Sequence, residues 1–151
     1  MAALIRAHAG DETGAELVEF ALAFPLLLLV VMGIIDFGLL FQQYEVITNA
    51  AREGARVAVL PGYTAANAQT RVTQYINASF LSSGGVVTTT VGAPQSVIIG
   101  TNCMKTITVS VSYPHQFLFL AGIGHYFGTT FGTKTLHAAS AMRMEVSGSC
   151  P

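Results

Sequence analysis

TGAELVEFALAFPLLLLVV, residues Thr13 to Val31, puts a carboxylate, Glu19, at the mouth of a long apolar run. Phe20 to Ile35 carries no charge at all, and Leu17 to Phe41 holds only Glu19 and Asp36. At about 1.5 Å per helical residue, the longer stretch covers about 37 Å, enough to cross a hydrocarbon core of about 30 Å. The uncharged run alone is slightly short, so the two acids are expected near the edges of the core. One transmembrane helix follows from this, with about 100 residues left for a domain on one side.

The whole chain leans the same way. It has 151 residues, 52% hydrophobic and 10% charged, with mean hydropathy +0.56, where an average soluble chain carries about 25% charged residues. Net charge is −1 and no basic run occurs, so nucleic-acid binding has no support. The apolar run begins only at Leu17 and exceeds the usual apolar core of a secretory signal, and no small-x-small site follows closely. The helix is therefore expected to stay in the protein. Arg6, Asp11 and Glu12 before it and Arg52 and Arg56 after it give little orientation. Cys103 and Cys150 favour placing the C-terminal domain outside the cytoplasm, where a disulfide is the leading reading. Such a bond would contribute roughly 4 kcal/mol through loop closure. Two unpaired thiols are the alternative.

Helix breakers are few from Ala15 to about Leu60 apart from Pro25, so the helix should continue out of the membrane to Pro61-Gly62. Val46, Ala50, Val57 and Ala58 lie near one face, with Arg52 and Arg56 on the other. Arg52 and Arg56 have Glu53 or Glu45 within reach as partners. Thr64 to Leu81 reads as a second, amphipathic helix with Val72, Ile76 and Phe80 at spacings of four. Beyond Ser82-Ser83-Gly84-Gly85 the period changes. Val86–Val91 and Ser96–Ile99 are short β-like runs. In Lys105–Tyr113, Ile107, Val109, Val111 and Tyr113 alternate with Thr106, Thr108, Ser110 and Ser112, a period of two for a sheet with one buried face. Leu136–Val146 alternates similarly. The expected fold is α+β: a long N-terminal transmembrane helix, a second helix and an antiparallel sheet of about four strands, covered by the exposed half of the long helix. Phe117–Phe127 (FLFLAGIGHYF) is too short to span a membrane. It reads as a buried loop or short helix, or as a contact patch for a neighbouring subunit or the membrane surface.

Chemistry-bearing constellations are sparse. His8, His115, His125 and His137 show no metal-ligand spacing, and no serine elbow or phosphate-cradling loop is present. The expectation is a protein with no catalytic residues, metal, cofactor or small-molecule substrate.

Gly14, then Ala15-Glu16-Leu17-Val18-Glu19-Phe20, then the apolar run resembles the processing site of type IV pilins and pseudopilins. The combination GAELVEFALAFPLLLLVVMGIIDFG, NAAREGAR and the terminal LHAASAMRMEV is similar to the TadE-like family of the tight-adherence (Tad, or Flp) pilus apparatus. The resemblance implies a pilin-like minor pseudopilin that serves pilus assembly and adhesion. It implies cleavage by a prepilin peptidase between Gly14 and Ala15, giving a leader that ends at Gly14 and a mature chain that starts at Ala15. The leader holds one arginine and no lysine, less basic than pilin leaders. The implied organisation is a leader at 1–14, a transmembrane helix at 15–41 and an extracytoplasmic domain at 42–151. Implied partners are other pilins or pseudopilins, the assembly platform and the bacterial cytoplasmic (inner) membrane, with an extracellular position in an assembled pilus. Glu19 would pair with a subunit's N-terminal amine and set axial register, and Pro25 would mark where the helix kinks or loosens.

Two other readings of the residues stand beside these. Thr13-x-x-Glu16 has the form of a capping box, with Glu19 a further acid at a helix start, and Asp36 reads as an interfacial residue, the alternative being an intramembrane partner for a basic group. The chain could alternatively be the repeating subunit of a filament, or an uncleaved single-span binding module.

Overall fold

The computed structural model describes residues 12–79, 81, 85–99, 102–126, 128 and 131–144. A single helix, α1 (Glu12–Ala58), runs for 47 residues. It is followed by α2 (Ala65–Asn77), β1 (Thr88–Val91), β2 (Gln95–Ile99), β3 (Asn102–His115), α3 (Leu120–Tyr126) and β4 (Lys134–Arg143). The α+β arrangement expected from the sequence is the observed one.

Thr64 opens α2. Its backbone N–H and its hydroxyl both donate to Asn67 Oδ1, at 2.9 and 2.7 Å. The helix buries Ala68, Val72 and Ile76, one face at spacings of four. Phe80, the next member of that series, lies outside the described residues.

β3 is the axis of the sheet. Along one edge it pairs antiparallel with β4, from Thr106↔Arg143 to His115↔Lys134. Along the other edge it pairs with two short strands in succession. β2 occupies Asn102–Thr106, and β1 occupies Val109–Ser112. Gly92, Ala93 and Pro94 separate them; Pro94 has no N–H to give a ladder, which suits a break between strands. The four strands thus make a sheet only three strands wide. β3 extends past the alternating Lys105–Tyr113 run at both ends, and β4 ends at Arg143; Val146 lies outside the described residues.

The inward face of β3 carries Ile107, Val109, Val111 and Tyr113, all buried, as the period of two requires. α1 covers this face with Ile47, Ala50, Ala51, Ala55 and Ala58, spacings of three and four that form one stripe. Val46 and Val57 border the stripe, half-buried. The small residues set the approach distance. A Cβ at Gly54 would lie 2.5 Å from Val72 Cγ2 and 3.2 Å from Val109 Cγ1, so a glycine is required where α1, α2 and β3 meet. Glu53 joins the helices at the surface, 3.3 Å from Arg71 of α2 and 4.0 Å from Arg56, exposed pairs worth about 0–1 kcal/mol each.

Candidate membrane-anchoring and assembly site

The first half of α1 has no partner in the fold. From Ala15 to Ile35 every residue is exposed except the half-buried Met32 and Gly33. Leu, Val, Ile and Phe point to all sides of the helix, Leu22 at 76% exposure and Leu27 at 60%. Such a helix is hydrophobic all round, the pattern of a segment surrounded by lipid. This stretch rises about 32 Å, the thickness of a hydrocarbon core, and the helix is long and apolar enough to cross a membrane.

Of the sequence-derived site residues, Gly14, Ala15, Glu19 and Pro25 fall on this helix. Gly14 and Ala15 lie within its first turns, and the helix runs unbroken across the bond between them. Thr13 and Glu16, the two positions of the capping-box reading, both lie within the described part of α1. Glu16 and Glu19 are exposed. α1 stays helical through Pro25, although the ring removes the N–H that would reach the Ala21 carbonyl. Residues 1–11 of the expected leader lie outside the described residues. Cys103 is half-buried on β3 opposite Ile98, and Cys150 lies outside the described residues.

Asp36 marks the end of the bare stretch. It is fully buried, and its carboxylate accepts backbone N–H bonds from Leu118 (3.0 Å), Phe119 (3.0 and 3.3 Å) and Leu120 (2.8 Å). Leu120 opens α3, so the acid caps the start of a helix from the far end of the chain. Charge-assisted bonds of this kind offset the cost of burying a carboxylate. Two turns further along α1, Gln43 Oε1 lies 2.6 Å from His115 Nδ1. The Nδ1–H tautomer donates to that oxygen, and Nε2 is buried with no partner among the described residues. Burial lowers the His115 pKa below its ordinary 6.5, partly opposed by the Asp36 charge. Burial likewise raises that of Tyr113. The Phe117 ring meets His115 edge-on at 4.8 Å, and also contacts Phe37 at 6.3 Å and Phe131 at 6.1 Å.

Sequence reasoning treated Asp36 as merely interfacial and did not single out His115. A usable signal existed for His115, which continues the odd-numbered inward series Ile107 to Tyr113. For Asp36 none did, since its partners are backbone groups of a distant segment.

At the other end of the domain lies an apolar cleft of about 420 Å³, lined by the Leu60–Tyr63 turn, Val91–Gly92, Pro94, Ile107 and Met144. Its lining holds no carboxylate, imidazole, thiol or amine among the described residues. Among those residues, too, no group of three His, Cys, Asp or Glu side chains could hold a metal ion.

Residues 14–56 match the family model of TadE-like proteins. No curated protein and no solved structure matches the chain. The matched segment takes in both the bare apolar span and the small-residue stripe that packs on the sheet, and over residues 14–56 the chain is similar to TadE-like proteins.

Proposed function

We propose that the protein is a minor pilin or pseudopilin of a Tad/Flp-type apparatus, a structural subunit and not a catalyst. It is anchored in the bacterial cytoplasmic membrane by α1, with its α+β domain on the extracytoplasmic side. The observation that carries this reading is the bare apolar half of α1, which bears exposed Glu19 near its start and continues without a break into the domain core. A prepilin peptidase cuts after Gly14, and the new amine of Ala15 becomes available to a carboxylate. Glu19 of a neighbouring subunit pairs with that amine inside the helix bundle and fixes axial register. The pair also offsets the cost of holding an acid near apolar surroundings, about 2.5–3.5 kcal/mol at a bilayer centre and less near its edge. Cys103 and Cys150 form a disulfide that ties the C-terminal tail to β3. Adhesion follows from assembly, through partners that dock on the exposed domain.

Glu19→Ala tests the role of the carboxylate. Removing one partner of a desolvated pair should lower incorporation into assembled complexes by more than about tenfold, while the outer domain keeps its thermal unfolding midpoint. Immunoblots of sheared or cross-linked assemblies measure the first and calorimetry the second. Normal incorporation of Glu19→Ala overturns the register role.

A further inference from the structure

The segment from Gln116 to Thr133 contains no Asp, Glu, Lys or Arg. It presents Leu118 at 67% and Phe131 at 46% exposure. The bonds from Leu118, Phe119 and Leu120 to Asp36 hold these three residues beside α1 at the level where the bare span ends. Phe117 links the segment to Phe37 on one side and Phe131 on the other. On α1 itself Phe37 and Phe41, at 51% and 67% exposure, stand about 1.5 and 7.5 Å beyond Asp36 along the axis. Each interfacial layer of a bilayer is about 5–8 Å deep. With residues 15–35 in the hydrocarbon, Phe37 and Phe41 therefore lie at the depth of the lipid headgroups, with Leu118 bonded to Asp36 beside them and Phe131 in ring contact with Phe117.

We propose that this aromatic base is a membrane-docking surface: the domain rests on the bilayer, with Leu118 and Phe131 inserted among the headgroups beside the emerging helix. The occupant is lipid because the patch is continuous with the spanning helix, at a depth that Asp36 fixes, and its exposed Leu118 and Phe131 side chains are apolar, as burial at the headgroup–acyl boundary requires. The buried carboxylate, fully bonded, lets the helix and the base share this level without an unpaired acid at the hydrocarbon edge. The inference rests on the reading of residues 15–35 as a membrane span.

The chain contains no tryptophan, so a single introduced one reports its own surroundings. Four variants of the full chain, Leu118→Trp, Phe131→Trp, Leu27→Trp and Tyr63→Trp, are reconstituted in phosphatidylcholine–phosphatidylglycerol vesicles. The vesicles carry bromine near the headgroup or deep in the acyl chain. Emission at 118 and 131 should shift to the blue relative to position 63 and be quenched more by shallow than by deep bromine. Position 27 should be quenched most by deep bromine, and position 63, on the turn after α1, by neither. Quenching at 27 without quenching at 118 and 131 overturns the docking surface and leaves the span intact. Positions 118 and 131 that are shielded from aqueous acrylamide yet unquenched by lipid bromine assign the patch to a protein partner, which also overturns it. Absence of quenching at 27 overturns the span itself.

Discussion

Residues 15–35 and residues 47–58 belong to one continuous helix, yet the first stretch lies open along its length while the second buries Ile47, Ala50, Ala51, Ala55 and Ala58. The difference lies in side-chain size and its distribution around the axis. The open half places Leu, Val, Ile and Phe on every side, which leaves no polar face for water and no flat face for a sheet. The packed half confines its apolar residues to one stripe and keeps them small, with Arg52 and Arg56 exposed opposite. Gly54 shows how strictly that size is set, since an added Cβ would strike Val72. Hydrophobicity alone does not separate a lipid-facing helix from a core helix; a one-sided stripe of small residues does. Between the halves, Asp36 and Gln43 turn toward the domain and join the two environments through hydrogen bonds.

Isoleucine occurs in both halves, which allows a matched pair of truncations. Ile47→Ala should destabilise the domain by about 3 kcal/mol, the usual cost of emptying a packed aliphatic site. Ile34→Ala, in the open half at 67% exposure, should leave domain unfolding unchanged. Urea titration of the detergent-solubilised chain, followed by far-ultraviolet dichroism, measures both. Equal effects would erase the distinction between the halves.

At the junction a smaller loss is expected. Asp36→Ala leaves three backbone N–H groups without their acceptor and should cost about 2 kcal/mol, releasing the 117–126 segment before the sheet. Hydrogen exchange resolved by residue checks this: the amides of Leu118 to Leu120 should exchange faster, while those of β3 keep their protection. Unchanged exchange at 118–120 would remove Asp36 as the strap.

The smallest effect is the pH dependence from His115. Its native pKa lies below the unfolded value of about 6.5, so between the two the unfolded chain binds more protons and stability rises with pH. The contribution is present in full above about pH 6.5 and is lost as pH falls toward the native value. Melting temperatures at about pH 7.5 and about pH 5.5 should therefore differ more for the wild-type chain than for His115→Asn. An equal difference in both would place the titration elsewhere.

Much of this architecture is legible in the sequence because it rests on local periodicity. The uncharged run marks the bare half of α1, the period of two from Ile107 to Tyr113 marks the buried face of β3, and Val72 and Ile76 mark the inward face of α2. The small residues of NAAREGAR announced a close approach by a sheet or another helix, and α1 receives both. The stripe is centred on Ile47, Ala51 and Gly54, and Val46 and Val57 lie at its border, because the sheet and α2 together decide which side is covered. What local pattern cannot carry is long-range polar pairing. Asp36 meets amides that have no side-chain signature. The sharing of one β3 edge by β1 and β2 depends on register, not on composition. Glu19 is an exposed acid in the structure, and the role proposed for it lies in contacts between subunits.

The mass of the N-terminal peptide of protein isolated from its own host tests the pilin reading most directly. A chain whose first residue is Ala15 is the predicted result. A chain that retains residues 1–14 in the membrane and in any assembled material would contradict it, and would leave α1 as the anchor of an uncleaved single-span protein.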